Sequence, residues 1–242
     1  MCTAPDELRV EAAASFAAQA LRDRPRVLEV GCGRGDVARR LAGLGFAVTA
    51  IDAELAHPAP CPGVTFLATD YMSFTSEPFD AIVFTGALHR MVPVDAAIAH
   101  AIRLLTPKGR LFVDDFDLEA PDAETLRWYY ETQELLAAAQ LFPQDRIDGS
   151  PLEAPLDRWR AAHGREPKHT GAEMRTSISS RFVIRELRRV EYLYRHVAAG
   201  LPDDDRGANI ATTLRATEKA RIDRGLVVPV GLRIVADRAK NV

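Results

Sequence analysis

The stretch Arg26-Val27-Leu28-Glu29-Val30-Gly31-Cys32-Gly33-Arg34-Gly35-Asp36 decides how this chain is read. A short apolar strand runs straight into three glycines at alternate positions. Residues 36–44 then place Val37, Leu41 and Leu44 at helical spacing, and Gly45 follows as a stop. Residues 46–51 form a second strand that ends on Asp52. Strand, glycine turn, helix, strand and terminal acid make a βαβ unit, which favours parallel pairing through a right-handed crossover. Glycine is needed at such a turn because a Cβ would block both the bend and the approach of a ligand to the backbone N–H groups. The turn lies in the crevice beyond the strand C-termini, and Asp52 ends the neighbouring strand there. A carboxylate in that place is set to accept hydrogen bonds from a ribose diol.

Working outward, residues 7–22 read as an alanine-rich helix ended by Pro25. Residues 53–63 carry Pro58, Pro60 and Pro62, so a second crossover helix is expected to be short or absent. Strands are expected over 64–68, 79–85 and 110–114, with a helix over 95–105 and a Pro107-Lys108-Gly109 turn before the last strand. Apolar, unalternating strands separated by helices argue for a parallel sheet covered on both faces. After Asp115 the rhythm changes. A long helix is expected over 121–139, a loop over 142–175, strands over 186–198 and 226–236, and a helical run over 209–224.

The fold class expected is therefore α/β, a Rossmann-like doubly wound sheet. It is mainly parallel with an antiparallel last strand, and a helical and loop cap is inserted after strand five. The whole of 1–242 reads as a single domain, with its core in 25–115 and 181–242 and a substrate cap at 116–180.

Composition narrows the functions open to such a fold. The 242 residues are 47% hydrophobic and 27% charged, which is ordinary for a globular protein. A net charge of −3 gives no general attraction to nucleic acid or to an anionic membrane. No uncharged apolar run reaches the length of a membrane span, and the N-terminus lacks a signal pattern, so a cytoplasmic location is expected. Cys2, Cys32 and Cys61 form neither a disulfide framework nor a metal-ligand spacing, and no metal is expected.

A dinucleotide fingerprint would put its third glycine where Asp36 stands, and an acid at a helix N-terminus repels a pyrophosphate. No GK[ST] follows the glycines, so there is no P-loop. Residues 27–35 instead resemble the first motif of class I S-adenosylmethionine-dependent methyltransferases. Four further segments agree in order: Val48-Thr49-Ala50-Ile51-Asp52, Phe66-Leu67-Ala68-Thr69-Asp70, Phe79-Asp80-Ala81-Ile82-Val83-Phe84 and Leu104-Leu105-Thr106-Pro107-Lys108-Gly109-Arg110-Leu111.

The resemblance implies S-adenosyl-L-methionine as cofactor and assigns roles by position. Glu29 with the Gly31, Cys32, Gly33 and Gly35 backbone would hold the methionine part. Asp52, with Ala53 after it, would take the ribose hydroxyls. Asp70 and Tyr71 would sit at the adenine edge, and Thr85 and Gly86 would line the path of the methyl group.

Methyl transfer from a sulfonium is an in-line displacement in which alignment supplies much of the rate. His89, just past strand four, is the one candidate base of the matched core, with packing as its other reading. Thr85-Gly86-Ala87-Leu88 stands where amino-methyltransferases of DNA carry [ND]PP[YF], which speaks against a nucleic-acid substrate. The expected acceptor is a small molecule presenting oxygen or nitrogen. Trp128, Tyr129, Tyr130, Phe142 and Trp159 would wall its pocket or form the cap's own core. His163 and His169 read as solvated. Asp114 and Asp115 would orient the acceptor or cap the next helix. The alternatives are a nicotinamide-dependent Rossmann oxidoreductase and a non-catalytic scaffold that keeps the fold; a homodimer is left open.

Overall fold

The computed structural model describes residues 4–55, 58–147, 154–163 and 168–239. Its strands are β1 (Arg26–Val30), β2 (Ala47–Asp52), β3 (Val64–Ala68), β4 (Phe79–Thr85), β5 (Leu105–Phe116), β6 (Phe182–Val190) and β7 (Gly231–Arg238). They form one sheet in the order β3-β2-β1-β4-β5-β7-β6. Pairing is parallel from β3 through β5, while β7 lies antiparallel between β5 and β6. The expected mainly parallel sheet with an antiparallel last strand is the one observed. The strand order reverses between β1 and β4, which is where a doubly wound sheet opens its crevice.

The central strands are apolar on both faces because helices cover both. Leu28, Val30, Ile82 and Phe84 pack into one buried layer with α3 (Val94–Leu104) and α6 (Gly171–Ser179). Val27, Ala81, Val83 and Phe112 pack into the opposite layer with α1 (Ala4–Ala20) and α2 (Asp36–Gly43). Alternate residues of β1 and β4 thus feed opposite layers, as the two-residue period of a strand requires. A third cluster, joining Phe116, Tyr129, Tyr130, Phe142 and Trp159 to Tyr192 and Val197, forms beyond the C-terminal edge of the sheet. It is built by α4 (Ala123–Ala138), α5 (Pro155–His163) and the short α7 (Leu193–Ala198). The last helix, α8 (Asp205–Asp223), packs against α1 and α7. No described helix is long and apolar enough to cross a membrane.

Several expected elements are corrected. Pro107-Lys108-Gly109 does not precede β5 but lies inside it. The register passes from Phe79 opposite Leu105 to Ala81 opposite Arg110, so the turn is absorbed as a bulge. The expected loop over 142–175 contains α5 and the start of α6. The signal for α6 is Thr170-Gly171-Ala172-Glu173, a reciprocal capping box in which the Thr170 side chain accepts from the Glu173 N–H. The expected strand over 186–198 is β6 as far as Val190 and then helix α7. Buried Glu218 of α8 imposes that switch by accepting from the N–H groups of Tyr192, Leu193 and Tyr194 at 2.7, 3.0 and 2.9 Å. The last strand begins at Gly231, five residues later than expected.

Candidate active site

Gly31, Gly33 and Gly35 all adopt left-handed backbone angles, with φ of 72°, 53° and 74°. Each is glycine for a different reason. A Cβ on Gly31 would lie 2.6 Å from the Ala87 Cβ, and one on Gly35 would strike the Phe66 ring. A Cβ on Gly33 would meet nothing within 4 Å, so the left-handed backbone alone calls for glycine there. Asp52 closes the turn from the next strand. Its Oδ2 accepts from the Gly33 N–H at 2.8 Å and its Oδ1 from the Glu54 N–H at 2.9 Å.

Two cavities of about 540 Å³ each flank this turn. The first is lined by Glu29, Gly31, Cys32, Gly33, Thr85 and Gly86, and on its far side by α1 and α7. The second is lined by Asp52, Ala53, Asp70 and Tyr71. Gly31 and Gly86, two residues without side chains, line both. Of the expected cofactor residues, Gly35 alone lines neither; it is the residue before α2 and shapes the turn from behind.

At the far end of β1, Glu29 is almost wholly buried. The Thr85 hydroxyl donates to its Oε1 at 3.2 Å, whereas its buried Oε2 has no partner. Burial pushes this carboxyl up to about 8, opposed by the Thr85 hydrogen bond. Glu29 also lines the first cavity, and a buried carboxyl oxygen without a partner is suited to an ammonium. Burial likewise pushes the Cys32 thiol up to about 12, which makes it a filler of the turn and not a nucleophile.

In the second cavity, Asp70 caps the single 3-10 turn of residues 71–73, its Oδ1 accepting from the Met72 and Ser73 N–H groups. The Tyr71 ring is turned into the core, where its hydroxyl donates to the Ala97 carbonyl at 3.0 Å.

His89 is brought into neither cavity. It is buried, with Nδ1 2.8 Å from Asp115 Oδ1, while Arg90 Nε donates to its Nε2 at 3.3 Å. The Asp115 carboxylate also accepts from the His89 and Phe116 N–H groups, so it serves His89 and caps no helix. Asp122 caps α4 instead. Asp114 takes a different part, holding Arg195 at 3.1 Å and Arg233 at 3.3 Å.

The aromatic residues of 128–159 line neither cavity; they pack on one another, with the Tyr129 and Trp159 rings edge to face. His163 is not solvated but sits 3.8 Å from the Trp159 ring, and His169 accepts from the Val94 N–H. The far wall of the first cavity is instead made by Tyr192, Arg195 and His196 of the α7 segment and by Arg146. Sequence reading missed all four, having placed residues 186–198 in a strand and 142–175 in a loop.

The sequence pattern of the methyltransferase domain family matches residues 6–149, more than half of the chain. The chain belongs to that family. Over 100 residues it is 43% identical to the ubiquinone biosynthesis O-methyltransferase of Xylella fastidiosa, a match covering 36% of this chain and 40% of that protein. The match thus spans well under half of the curated relative's length. A solved S-adenosylmethionine-dependent methyltransferase from Mesorhizobium loti superposes with a TM-score of 0.55 at 18% identity, over 95% of this chain and all of that one. The 1,6-didemethyltoxoflavin-N1-methyltransferase of Burkholderia thailandensis, solved with bound 1,6-didemethyltoxoflavin and S-adenosylhomocysteine, gives 0.53 at 17% identity over 97% and 80% of the two chains. At such identity these structures establish the shared methyltransferase fold. The pattern match ends at residue 149, so Tyr192, Arg195 and His196 lie outside it while Arg146 lies within it.

Proposed function

We propose that this methyltransferase-family chain transfers a methyl group from S-adenosyl-L-methionine to an oxygen or nitrogen of a small-molecule acceptor. One observation carries the reading. Two cavities of equal volume share Gly31 and Gly86 in their linings, with buried Glu29 and its unpartnered Oε2 beside one and Asp52 and Asp70 lining the other. That arrangement fits an amino-acid end and a nucleoside end on opposite sides of those two glycines. The relatives' names, an O-methyltransferase and an N1-methyltransferase, agree with oxygen or nitrogen as acceptor.

In this reading Glu29 Oε2 holds the cofactor's ammonium and the Gly31–Gly33 backbone approaches its methionine part. Asp52 takes the ribose hydroxyls while keeping the turn in place, and Asp70 faces the base edge. The cofactor, when bound, supplies a methyl group on a positively charged sulfur that needs no further activation. The chain's own contribution is to align donor and acceptor and to exclude water, and such positioning is worth much of the barrier. His89 has both ring nitrogens engaged, so it serves as a positioning residue for Arg90 and does not meet the acceptor. The chain acts as a single domain over 1–242, with 116–180 covering the acceptor side jointly with α7. It works in the cytoplasm, without nucleic acid.

Calorimetric titration with S-adenosylhomocysteine, with NADH in parallel, tests this. Micromolar binding of the first and none of the second is expected, and the reverse would move the chain to the oxidoreductases. Asp52→Ala should weaken the first ligand by about ten- to a hundredfold, the worth of a charged hydrogen bond. An unchanged dissociation constant would remove Asp52 from the site.

A further inference from the structure

The cofactor's own connectivity says where its reacting group must lie. Its sulfonium sulfur carries three carbons: the amino-acid chain, the 5′ carbon of the nucleoside and the methyl group. With the amino-acid end in the first cavity and the nucleoside end in the second, the sulfur falls beside Gly31 and Gly86, the residues common to both linings. The space over Gly86 is open but for one atom. A Cβ built there would lie 3.4 Å from the Tyr192 hydroxyl oxygen, and no other heavy atom outside the chain neighbours comes within 4 Å. Tyr192 lines the first cavity, and its ring is held in place: it stacks on Phe116 with centroids 5.0 Å apart, and the Arg195 guanidinium lies 4.3 Å from its centroid. Its backbone N–H donates to Glu218 at 2.7 Å. The hydroxyl makes no hydrogen bond among the described residues. Burial pushes the phenol above its ordinary range, opposed by Arg195, so the group is a neutral hydroxyl whose oxygen is free to accept. The other hydroxyl of this lining, that of Thr85, is already given to Glu29.

We infer that Tyr192 is the methyl-orienting residue of the transfer, its hydroxyl oxygen facing the sulfonium methyl group. The C–H bonds of a methyl on positively charged sulfur are polarised, and an oxygen lone pair in C–H···O contact attracts them. That attraction acts on the methyl and the charge beside it, so it favours the methyl donor over the demethylated product, which has neither. Fixing the direction of the methyl narrows the approach to the in-line geometry that the displacement needs. A neutral phenol is a weak base, so the hydroxyl orients the methyl and takes no proton. Tyr192 lies outside the family match over 6–149, which makes this role a property of the chain's own C-terminal part.

This inference rests on the methyl-transfer reading, and its test separates the two. Tyr192→Phe keeps the ring and removes one oxygen. Wild type and variant are titrated with S-adenosylhomocysteine, S-adenosylmethionine and sinefungin, in which a carbon-borne ammonium replaces the methylsulfonium. The variant should hold S-adenosylhomocysteine within about twofold of wild type and bind S-adenosylmethionine about two- to fivefold more weakly. Sinefungin, whose ammonium makes a full charged hydrogen bond, should weaken by about ten- to a hundredfold. In the wild type alone, the methyl proton resonance of bound [methyl-13C]S-adenosylmethionine should lie downfield of the free cofactor's, as a C–H···O contact requires. A resonance that is not displaced downfield would overturn the role without recourse to the variant. Sinefungin and S-adenosylmethionine affinities unchanged in Tyr192→Phe would overturn it as well. So would equal weakening of all three ligands, which would give the hydroxyl to the part they share. Each of these outcomes, with S-adenosylhomocysteine still bound by the wild type, leaves the methyltransferase reading standing. Failure of the wild type to bind S-adenosylhomocysteine would remove both readings.

Discussion

The two walls of the first cavity are built in opposite ways. The turn wall comes from one continuous segment, residues 29–36, and presents mainly backbone; its geometry follows from glycines whose φ values no other residue adopts easily. The α7 wall comes from residues 146 and 192–199, far apart in sequence, and presents side chains held by partners still further off. Glu218 caps α7 from α8, and Asp114 on β5 holds Arg195. A backbone-built wall can be read from spacing alone, whereas a side-chain wall exists only once the chain has folded. The first suits a ligand common to a family and the second an acceptor that differs among its members.

The sharpest way to break this contrast is at Glu218. It is fully buried and accepts three N–H groups at the start of α7. Glu218→Ala leaves those donors without an acceptor, at about 1–3 kcal/mol for each buried orphan, so a loss of roughly 3 kcal/mol or more is expected. At this chain length that lowers Tm by roughly 6–12 °C. Hydrogen exchange should rise first at Tyr192, Leu193 and Tyr194, with β1 and α2 still protected. Uniform loss of protection across the sheet would show that the two walls are one cooperative unit.

Within the turn wall, Gly31 and Gly33 separate folding from binding. At Gly31 an alanine Cβ would press on Ala87 in a left-handed backbone, and crowding and strain together cost roughly 2–4 kcal/mol. At Gly33 the backbone is equally left-handed but the space beyond is open, so strain alone, about 1–2 kcal/mol, is expected. Gly33→Ala should therefore keep more of the thermal stability yet still lose S-adenosylhomocysteine binding, because its methyl enters the space kept for the ligand. Full retention of binding in Gly33→Ala would mean that the open space is not the ligand's.

The same contrast explains what the sequence made legible. Arg26–Val30, Val64–Ala68 and Phe79–Thr85 are strands with the bounds their composition suggests, because apolar runs between turn residues admit little else. The residues expected on the cofactor side line the two cavities, save Gly35. Beyond Phe116 the local signal was weaker than the tertiary one. Residues 191–198 are apolar enough for a strand, and the distant Glu218 makes them a helix. The capping box at Thr170 and Glu173 was a local sign that proline-rich surroundings obscured. Tyr192, Arg195, His196 and Arg146 had no such sign, since nothing in their spacing says that they meet.

The effect most specific to the turn wall lies in pH. Glu29 titrates near 8 when folded, against about 4.5 when exposed. Between those values the folded chain binds the extra proton. The stability Glu29 contributes is thus whole below the lower value and declines as pH rises through about 8. Relative to wild type, Glu29→Gln should stabilise the ligand-free protein increasingly from about pH 5 to about pH 8. Ligand affinity should move the other way. A carboxylate paired with an ammonium must shed its proton on binding, so wild-type affinity for S-adenosylhomocysteine should climb toward tenfold per pH unit below about 8. Glu29→Gln should bind more weakly and lose that slope. A variant that keeps the slope would place the titrating group elsewhere, and the Oε2 of Glu29 would then be a buried orphan of the fold and not the ammonium's partner.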